Sequence, residues 1–332
     1  MAQELPKLPK SLTPEKLIEL HRQMILIRRF EESTIKGYQQ KKIAGFLHTY
    51  IGQEALGVGI LAHKQPQDSV VTTYRCHGLG LALGMDPNAC MAELYGKVTG
   101  CVRGKGGSMH YFSKEHNYLG GHGIVGGQYG IGIGAAFESN YHNKNGVSFI
   151  HFGDGALPQG TFHETMNLAA LWNLPAIFIC EDNQYAMGTA RHRILSNEKV
   201  EEIAQSYKMK GYFLDGMNMF EVYEKMEEII NEVRETKRPV LIHGLTYRFK
   251  GHSVSDAGLY RSKDEVSEWV EKDPIQLVNK VLIANNIKTE DEIKQIDKQI
   301  KADVKDYVKF AETSPEPPLE ELSMHTFSED LN

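Results

Sequence analysis

The sequence is poor in cysteine, in basic excess and in long apolar runs, and each shortage removes a class of protein. Its 332 residues hold four cysteines (Cys76, Cys90, Cys101 and Cys180) and no C-x-x-C pair. That excludes a zinc ribbon or disulfide frame and predicts reduced thiols in a cytoplasmic protein. Lys and Arg total 37 against 43 Asp and Glu, a formal net charge of −6. Such a balance lacks the basic footprint that nucleic acid requires, so no nucleic-acid partner is expected. No stretch approaches the roughly 20 apolar residues that cross a bilayer, so no membrane association is expected either. The opening MAQELPKLPKSLTPEK has neither an apolar signal core nor an Arg/Ser-rich amphipathic pattern, and no secretion or import address is expected. There is no internal repeat and no low-complexity segment.

Glycine is unevenly spent. Of 31 glycines, 16 lie between Gly100 and Gly160 and none follows Gly258. The middle of the chain is therefore rich in close backbone approaches and turns, and the end is ordinary helix. Three parts are expected: an N-terminal arm and helix (1–45), an α/β domain (46–262) and a C-terminal helical extension (263–332). Thr13-Pro14 caps a first helix that continues through LIELHRQMILIRRFEE. Four nearly continuous apolar runs, Ser69–Thr73, Val147–Phe152, Pro175–Cys180 and Val240–Tyr247, read as parallel strands buried on both faces. Between the second and third lies GTFHETMNLAALWN, a helix for which Thr161 and Glu164 predict a capping box. Strand, helix, strand gives a βαβ unit, and the fold class predicted is α/β with a doubly wound parallel sheet. In the tail, Ile293, Ile296, Ile300, Val304 and Tyr307 recur at helical spacing behind a Thr289/Glu292 capping box, as a packing or assembly helix would.

Ligands of open α/β sheets bind beyond the carboxyl ends of the strands. VSFIHF ends in Gly153-Asp154-Gly155, and PAIFIC ends in Glu181-Asp182-Asn183; residues 156–182, 27 in all, separate Gly155 from Asn183. One βαβ unit thus presents a carboxylate and a carboxamide toward one spot. Oxygen donors of this kind suit Mg²⁺ or Ca²⁺, not zinc. The N-terminus of the intervening helix favours an anion on the same side. A hard cation beside an anion-favouring backbone points to a diphosphate. Neither GQYGIGIGAAF nor GCVRGKGGS fits the dinucleotide or P-loop glycine patterns. Gly132 and Gly134 are expected to serve tight helix packing.

GDG, 27 residues and Asn is the spacing of the thiamine-diphosphate motif. The words around it, LHTYIGQEA, TTYRCHG, GKGGSMH, GHGIVGGQ, FGDGALPQGTFHE, MNLAALWNLPAIFICEDNQYAMGT and TYRFKGHSVSD, resemble in order, over about residues 15–270, the α subunits of the E1 component of 2-oxo acid dehydrogenase complexes. IGQEA departs from the branched-chain enzymes and GHSVSD from the acetoin enzymes, so the likeness lies with the pyruvate dehydrogenase branch. Branched-chain 2-oxo acid or acetoin remains the alternative substrate, and a non-catalytic scaffold the alternative of another class. The resemblance implies the diphosphate-binding half of the thiamine-diphosphate fold. It makes Asp154 and Asn183 side-chain ligands of Mg²⁺, with Tyr185 giving its carbonyl. Gly155 and Ala156 would offer backbone N–H groups to the diphosphate, and Tyr74 and Arg75 would hold phosphate oxygens. Gly123 and Val125 would approach the cofactor rings, His252 would sit over the diphosphate on a loop spanning Arg248–Arg261, and His48 would line the substrate side.

Three positions depart from the family pattern. Asp182 replaces the first of a usual Asn pair, Pro158 replaces an Asn, and His122 replaces the Asn before GIVG. Of the serines that kinases modify in mitochondrial relatives, Ser253 is present and Ala190 stands at another. Single chains carrying both halves of the cofactor site are far longer, so the resemblance implies a β subunit in an α2β2 heterotetramer. That subunit would give the activating carboxylate, while Glu54 serves packing or a substrate channel. A lipoyl-bearing E2 acyltransferase would take the acyl group.

Overall fold

The computed structural model describes residues 5–324. Thr13 accepts a hydrogen bond from the Lys16 amide and Pro14 occupies the first turn of α1 (Pro14–Gln39). There follow α2 (Glu54–Leu61), β1 (Ser69–Thr73), α3 (Cys76–Ala82), α4 (Pro87–Leu94), β2 (Tyr118–His122), α5 (Gln128–Tyr141), β3 (Ser148–Gly153) and α6 (Gly160–Trp172). Next come β4 (Ala176–Asp182), a small hairpin of β5 (Tyr185–Ala186) and β6 (Thr189–Ala190), α7 (Val200–Ile203), β7 (Lys210–Asp215), α8 (Met219–Thr236) and β8 (Val240–Leu245). The chain ends in α9 (Lys263–Glu271), α10 (Pro274–Ala284) and α11 (Glu290–Thr313).

Six strands form one parallel sheet in the order β2-β1-β3-β4-β8-β7. The doubly wound parallel sheet expected from sequence is present. Adjacent residues of each central strand feed opposite cores. Phe149, Ile177, Ile179 and Ile242 join the core with α1, α2, α3 and α8, while Ile150, Phe178, Cys180 and Leu241 join the core with α5 and α6. Chain order reverses at β1, which has β2 on one side and β3 on the other, so the switch point lies between β1 and β3. α11 lies against α1 and α4, burying Ile293, Ile300 and Val304 behind the Thr289/Glu292 capping box.

Three expectations need amending. The sheet has two further strands, β2 and β7, that the apolar runs did not reveal. β2 reads YLGGH, and β7 reads KGYFLD on an edge with half its residues exposed. α6 begins at Gly160 with Gln159 as an N-cap that makes no side-chain cap, so the Thr161/Glu164 capping box does not form. Gly132 is tightly packed, for a Cβ there would come within 2.5 Å of Ile150; Gly134 faces open space.

Two buried carboxylates hold the frame. Glu93 accepts backbone N–H bonds from Val102, Gly104, Gly106 and Gly107 at 2.7–3.0 Å, fixing the glycine-rich loop after α4. Asp68 accepts from both Nη atoms of Arg234 at 2.9 and 2.8 Å and from the amides of Val147 and Gln65, tying the end of α8 to the entries of β1 and β3. Removing one partner of such a pair strands the other without solvent. Asp68→Ala is therefore expected to lower unfolding free energy by about 3 kcal/mol or more in chemical denaturation. Adding Arg234→Met should recover most of the loss. A single variant within about 0.5 kcal/mol of wild type, the range of ordinary surface substitutions, would refute the role.

Candidate functional site

β3 and β4 pair in register up to Gly153 opposite Glu181, so the residues that follow leave the sheet at one level. Asp154 opens a short 3₁₀ turn, Asp154–Ala156, and Asn183 directly follows β4. Both side chains are buried. Asp154 Oδ2 and Asn183 Oδ1 have no hydrogen-bond partner. Beside them α6 starts without a side-chain cap, leaving first-turn N–H groups for an anion. Gly155 lies so close to the β5–β6 hairpin that a Cβ would come within 2.7 Å of Ala186.

These elements enclose a cleft of about 240 Å³, lined by Thr73, Tyr74, Val125, Gly126, Gln128, Gly153, Asp154, Gly155, Ala156, Gln159, Asn183, Tyr185, Ala186, Met187 and Arg248. A larger cavity of about 560 Å³ lies at the opposite end of the sheet, where β7 and β8 begin, and none of its side chains has a buried unpaired polar atom. The small cleft is therefore the chemically unsatisfied one. Three lining oxygens are orphaned, those of Asp154, Asn183 and Gln128; the two at the strand ends, one a carboxylate's and one an amide's, form a donor set for a hard divalent cation that keeps water or phosphate ligands. Among the described residues there is no cluster of three His, Cys, Asp or Glu side chains that could hold a metal otherwise.

Of the residues singled out from sequence, Asp154, Gly155, Ala156, Asn183, Tyr74, Val125 and Tyr185 line this cleft. Arg75, Gly123, His48 and His252 do not. Gly123 packs toward His110. Buried Arg75 donates to the carbonyls of Thr49 (2.9 Å) and His252 (2.7 Å), so it holds the Arg248–Arg261 loop from behind. Burial and neighbouring Arg248 bring its pKa down to about 10. The rings of His48, Tyr74 and His252 meet edge-on, with centroids 4.5–5.6 Å apart. Burial and the arginines hold His48 down at about 2 and His252 at about 4, so both rings are neutral near pH 7. Arg75 and Arg248 each bring a guanidinium nitrogen to 3.4 Å from His252 Nδ1. Nδ1 therefore accepts, and Nε2 carries the proton. His122 is half-buried against Phe112, away from the cleft, with its pKa lowered by burial.

Among the cleft residues not singled out from sequence, Arg248 is the charged one. It donates to the carbonyls of Tyr185 (3.1 Å) and Met187 (3.0 Å) and to the Tyr260 hydroxyl (3.1 Å). Its position three residues beyond β8 was the available signal, a third strand end beside the first two. Asp182, the departure from the family pattern, turns away from the cleft. Its carboxylate takes Arg191 Nη1, His243 Nε2 at 2.7 Å and the Gln184 amide at 3.0 Å. Glu54 is buried and ion-paired with Arg28, at 2.5 and 3.0 Å.

Residues 22–320 match the family described as Dehydrogenase E1 component. Pyruvate dehydrogenase E1 component subunit alpha of Rickettsia bellii (strain RML369-C) is 43% identical over 308 residues, covering 93% of this chain and 94% of the relative. The subunit of the same name from Rhizobium meliloti (strain 1021) is 46% identical over 306 residues, covering 92% and 88%. That of Porphyra purpurea is 39% identical over 327 residues, covering 96% and 95%.

Burial, and then the nearby Asp182, push the Asp154 carboxyl up to about 7 in the cation-free protein. A cation held by Asp154 must displace that proton, so affinity is complete above pH 7 and lost as pH falls through it. In calorimetry, Mg²⁺ affinity is expected to fall about tenfold per pH unit below 7, the slope of a single linked proton. A pH-independent affinity between pH 5.5 and 8 would contradict the assignment.

Proposed function

The chain belongs to the dehydrogenase E1 component family, and we propose on that premise that it is the α subunit of a pyruvate dehydrogenase E1. It would act with thiamine diphosphate and Mg²⁺, decarboxylating pyruvate oxidatively and passing the acetyl group to a lipoyl-bearing E2. One observation carries this reading: the partnerless oxygens of Asp154 and Asn183 at two neighbouring strand ends, beside an uncapped helix. Thiamine diphosphate, when bound, supplies the ylid and the electron sink for decarboxylation.

This chain's part is to hold and orient. Asp154 and Asn183 offer oxygens to Mg²⁺, and Tyr185 a carbonyl that Arg248 already polarises. The backbone N–H groups of Gly155 and Ala156, the start of α6, Tyr74 and Arg248 would hold the diphosphate. Arg75 acts through the His252 carbonyl, keeping the loop against the cleft. Neutral His252 can present Nε2–H as a donor, and His48 keeps a buried Nδ1 without a partner near Tyr74. Val125 lines the cleft and would offer an apolar surface to the cofactor rings, with Gly123 just before it.

The cleft's carboxylate lining is Asp154 alone, which the cation engages. The carboxylate that activates the pyrimidine ring is therefore assigned to a β subunit in an α2β2 assembly. The exposure of Ile124, Val125, Ile131, Phe137 and Tyr141 along the rim and α5 supports such a partner, since apolar patches of this kind mark interaction surfaces. No described helix is long and apolar enough to cross a membrane. All four cysteines are free, in keeping with a cytoplasmic enzyme.

With its β partner, the chain is expected to turn over pyruvate in preference to 2-oxoisovalerate and acetoin, read with an artificial electron acceptor. The purified α chain alone should be silent. Robust decarboxylation by α alone would overturn the shared-site reading, and preference for either other substrate would overturn the assignment to pyruvate. Asp154→Ala should weaken calorimetric binding of thiamine diphosphate with Mg²⁺ by more than tenfold, about 1.4 kcal/mol. A smaller loss would show that the cation sits elsewhere.

A further inference from the structure

Asn183 has two ends of almost equal shape, an oxygen and an amino group, and only the oxygen can bind a cation. Nothing in the residue itself selects the end that faces the cleft. We propose that Glu181 and Gln53 are positioning residues for the cation: the carboxylate of Glu181 fixes the amide of Gln53, which in turn fixes the amide of Asn183. The inference rests on the cleft's reading as a site for Mg²⁺ and thiamine diphosphate.

The three side chains form one buried line. Glu181 Oε2 accepts from Gln53 Nε2 at 3.1 Å, and Gln53 Oε1 accepts from Asn183 Nδ2 at 3.0 Å. Glu181 Oε1 is occupied by the Tyr50 hydroxyl and by His151 Nδ1, both at 2.8 Å. A carboxylate only accepts, so Gln53 must turn its amino group toward Glu181 and its oxygen toward Asn183. An amide oxygen also only accepts, so Asn183 must turn Nδ2 toward Gln53. Oδ1 is then the end left facing the cleft, and it is the atom without a partner. The reversed amides would set oxygen against oxygen at both links, a cost that burial makes large. Tyr50 and His151 anchor the carboxylate, so the polarity of the line is set in the core and read out at the site.

The test uses the α/β complex saturated with thiamine diphosphate and titrated calorimetrically with Mg²⁺. Glu181→Gln keeps the shape but can donate, which frees both amides to reverse. Mg²⁺ affinity should fall at least tenfold, with unchanged circular dichroism. Asn183→Asp alone sets a carboxylate oxygen against Gln53 Oε1 and should also bind Mg²⁺ more weakly. Combined with Glu181→Gln, Gln53 can turn its amino group to residue 183, and affinity should rise above that of Asn183→Asp alone. The same substitution then acts with opposite sign in the two backgrounds, which a merely structural Glu181 would not do. Gln53→Leu, which breaks the line without touching Glu181, provides a second route: Asn183→Asp should cost less Mg²⁺ affinity there than in wild type. Unchanged affinity in Glu181→Gln, or equal weakening in both backgrounds, would overturn the inference while leaving the proposed function intact. Failure of the wild-type complex to bind Mg²⁺ and thiamine diphosphate would instead remove the premise.

Discussion

The pairing of β3 with β4 is the constraint on which the site depends. Six consecutive residue pairs, from Ser148 opposite Ala176 to Gly153 opposite Glu181, bring Asp154 and Asn183 out of the sheet together. A slip of one residue would turn every side chain of β4 to the other face, sending Glu181 out of one core and Cys180 out of the other. The register is strongly specified because β4 is buried along all seven residues, alternating Ile177 and Ile179 into one core with Phe178 and Cys180 into the other. The precision of two cation-facing oxygens is thus set by hydrophobic packing on both faces of the sheet.

Charge is arranged around that point in two shells of opposite behaviour. Asp154 keeps Oδ2 without a partner, and burial makes its carboxyl hard to ionise. Asp182, buried just beneath, is met by Arg191 and His243, and His243 passes on to Glu201 at 2.7 Å. Asp182 thus finds its ion-pair partners away from the cleft, yet its charge still reaches Asp154 and, after burial, helps hold that carboxyl up. On the other side, burial, reinforced by Arg75 and Arg248, suppresses protonation of His48 and His252. The positive charge facing the cleft belongs to guanidinium, which stays charged at any physiological pH, and the imidazoles serve as neutral donors and acceptors.

The parts of the fold legible in sequence were those with a local physical signature. β1 and the apolar centres of β3, β4 and β8 announced themselves as buried runs, and the caps at Thr13 and Thr289 form as their patterns suggest. β2 stayed hidden because YLGGH is glycine-rich, and β7 because an edge strand needs no apolar run. Thr161 and Glu164 have the capping spacing, but the helix begins earlier, at Gly160. At the site, Asp154 and Asn183 were legible because strand ends carry chemistry. Arg248 was legible only as a member of a cationic loop. Gln53 and Glu181 were not, because their importance comes from meeting each other across 128 residues. No spacing rule encodes that meeting.

The loop fixed by Glu93 shows what glycine density can and cannot mean. Successive N–H groups converging on one point are the architecture by which proteins cradle phosphate. Here the chain supplies its own anion, and the four amides of Val102, Gly104, Gly106 and Gly107 are already saturated by one carboxylate. The loop is a nest with its guest built in, closed to any phosphate that cannot outcompete an intramolecular ligand. Two glycine-rich segments of one chain thus share a backbone chemistry and differ in what answers it: the loop after α4 is bound to its own Glu93, while the turn at the end of β3 carries its carboxylate, Asp154, as a residue of the turn itself.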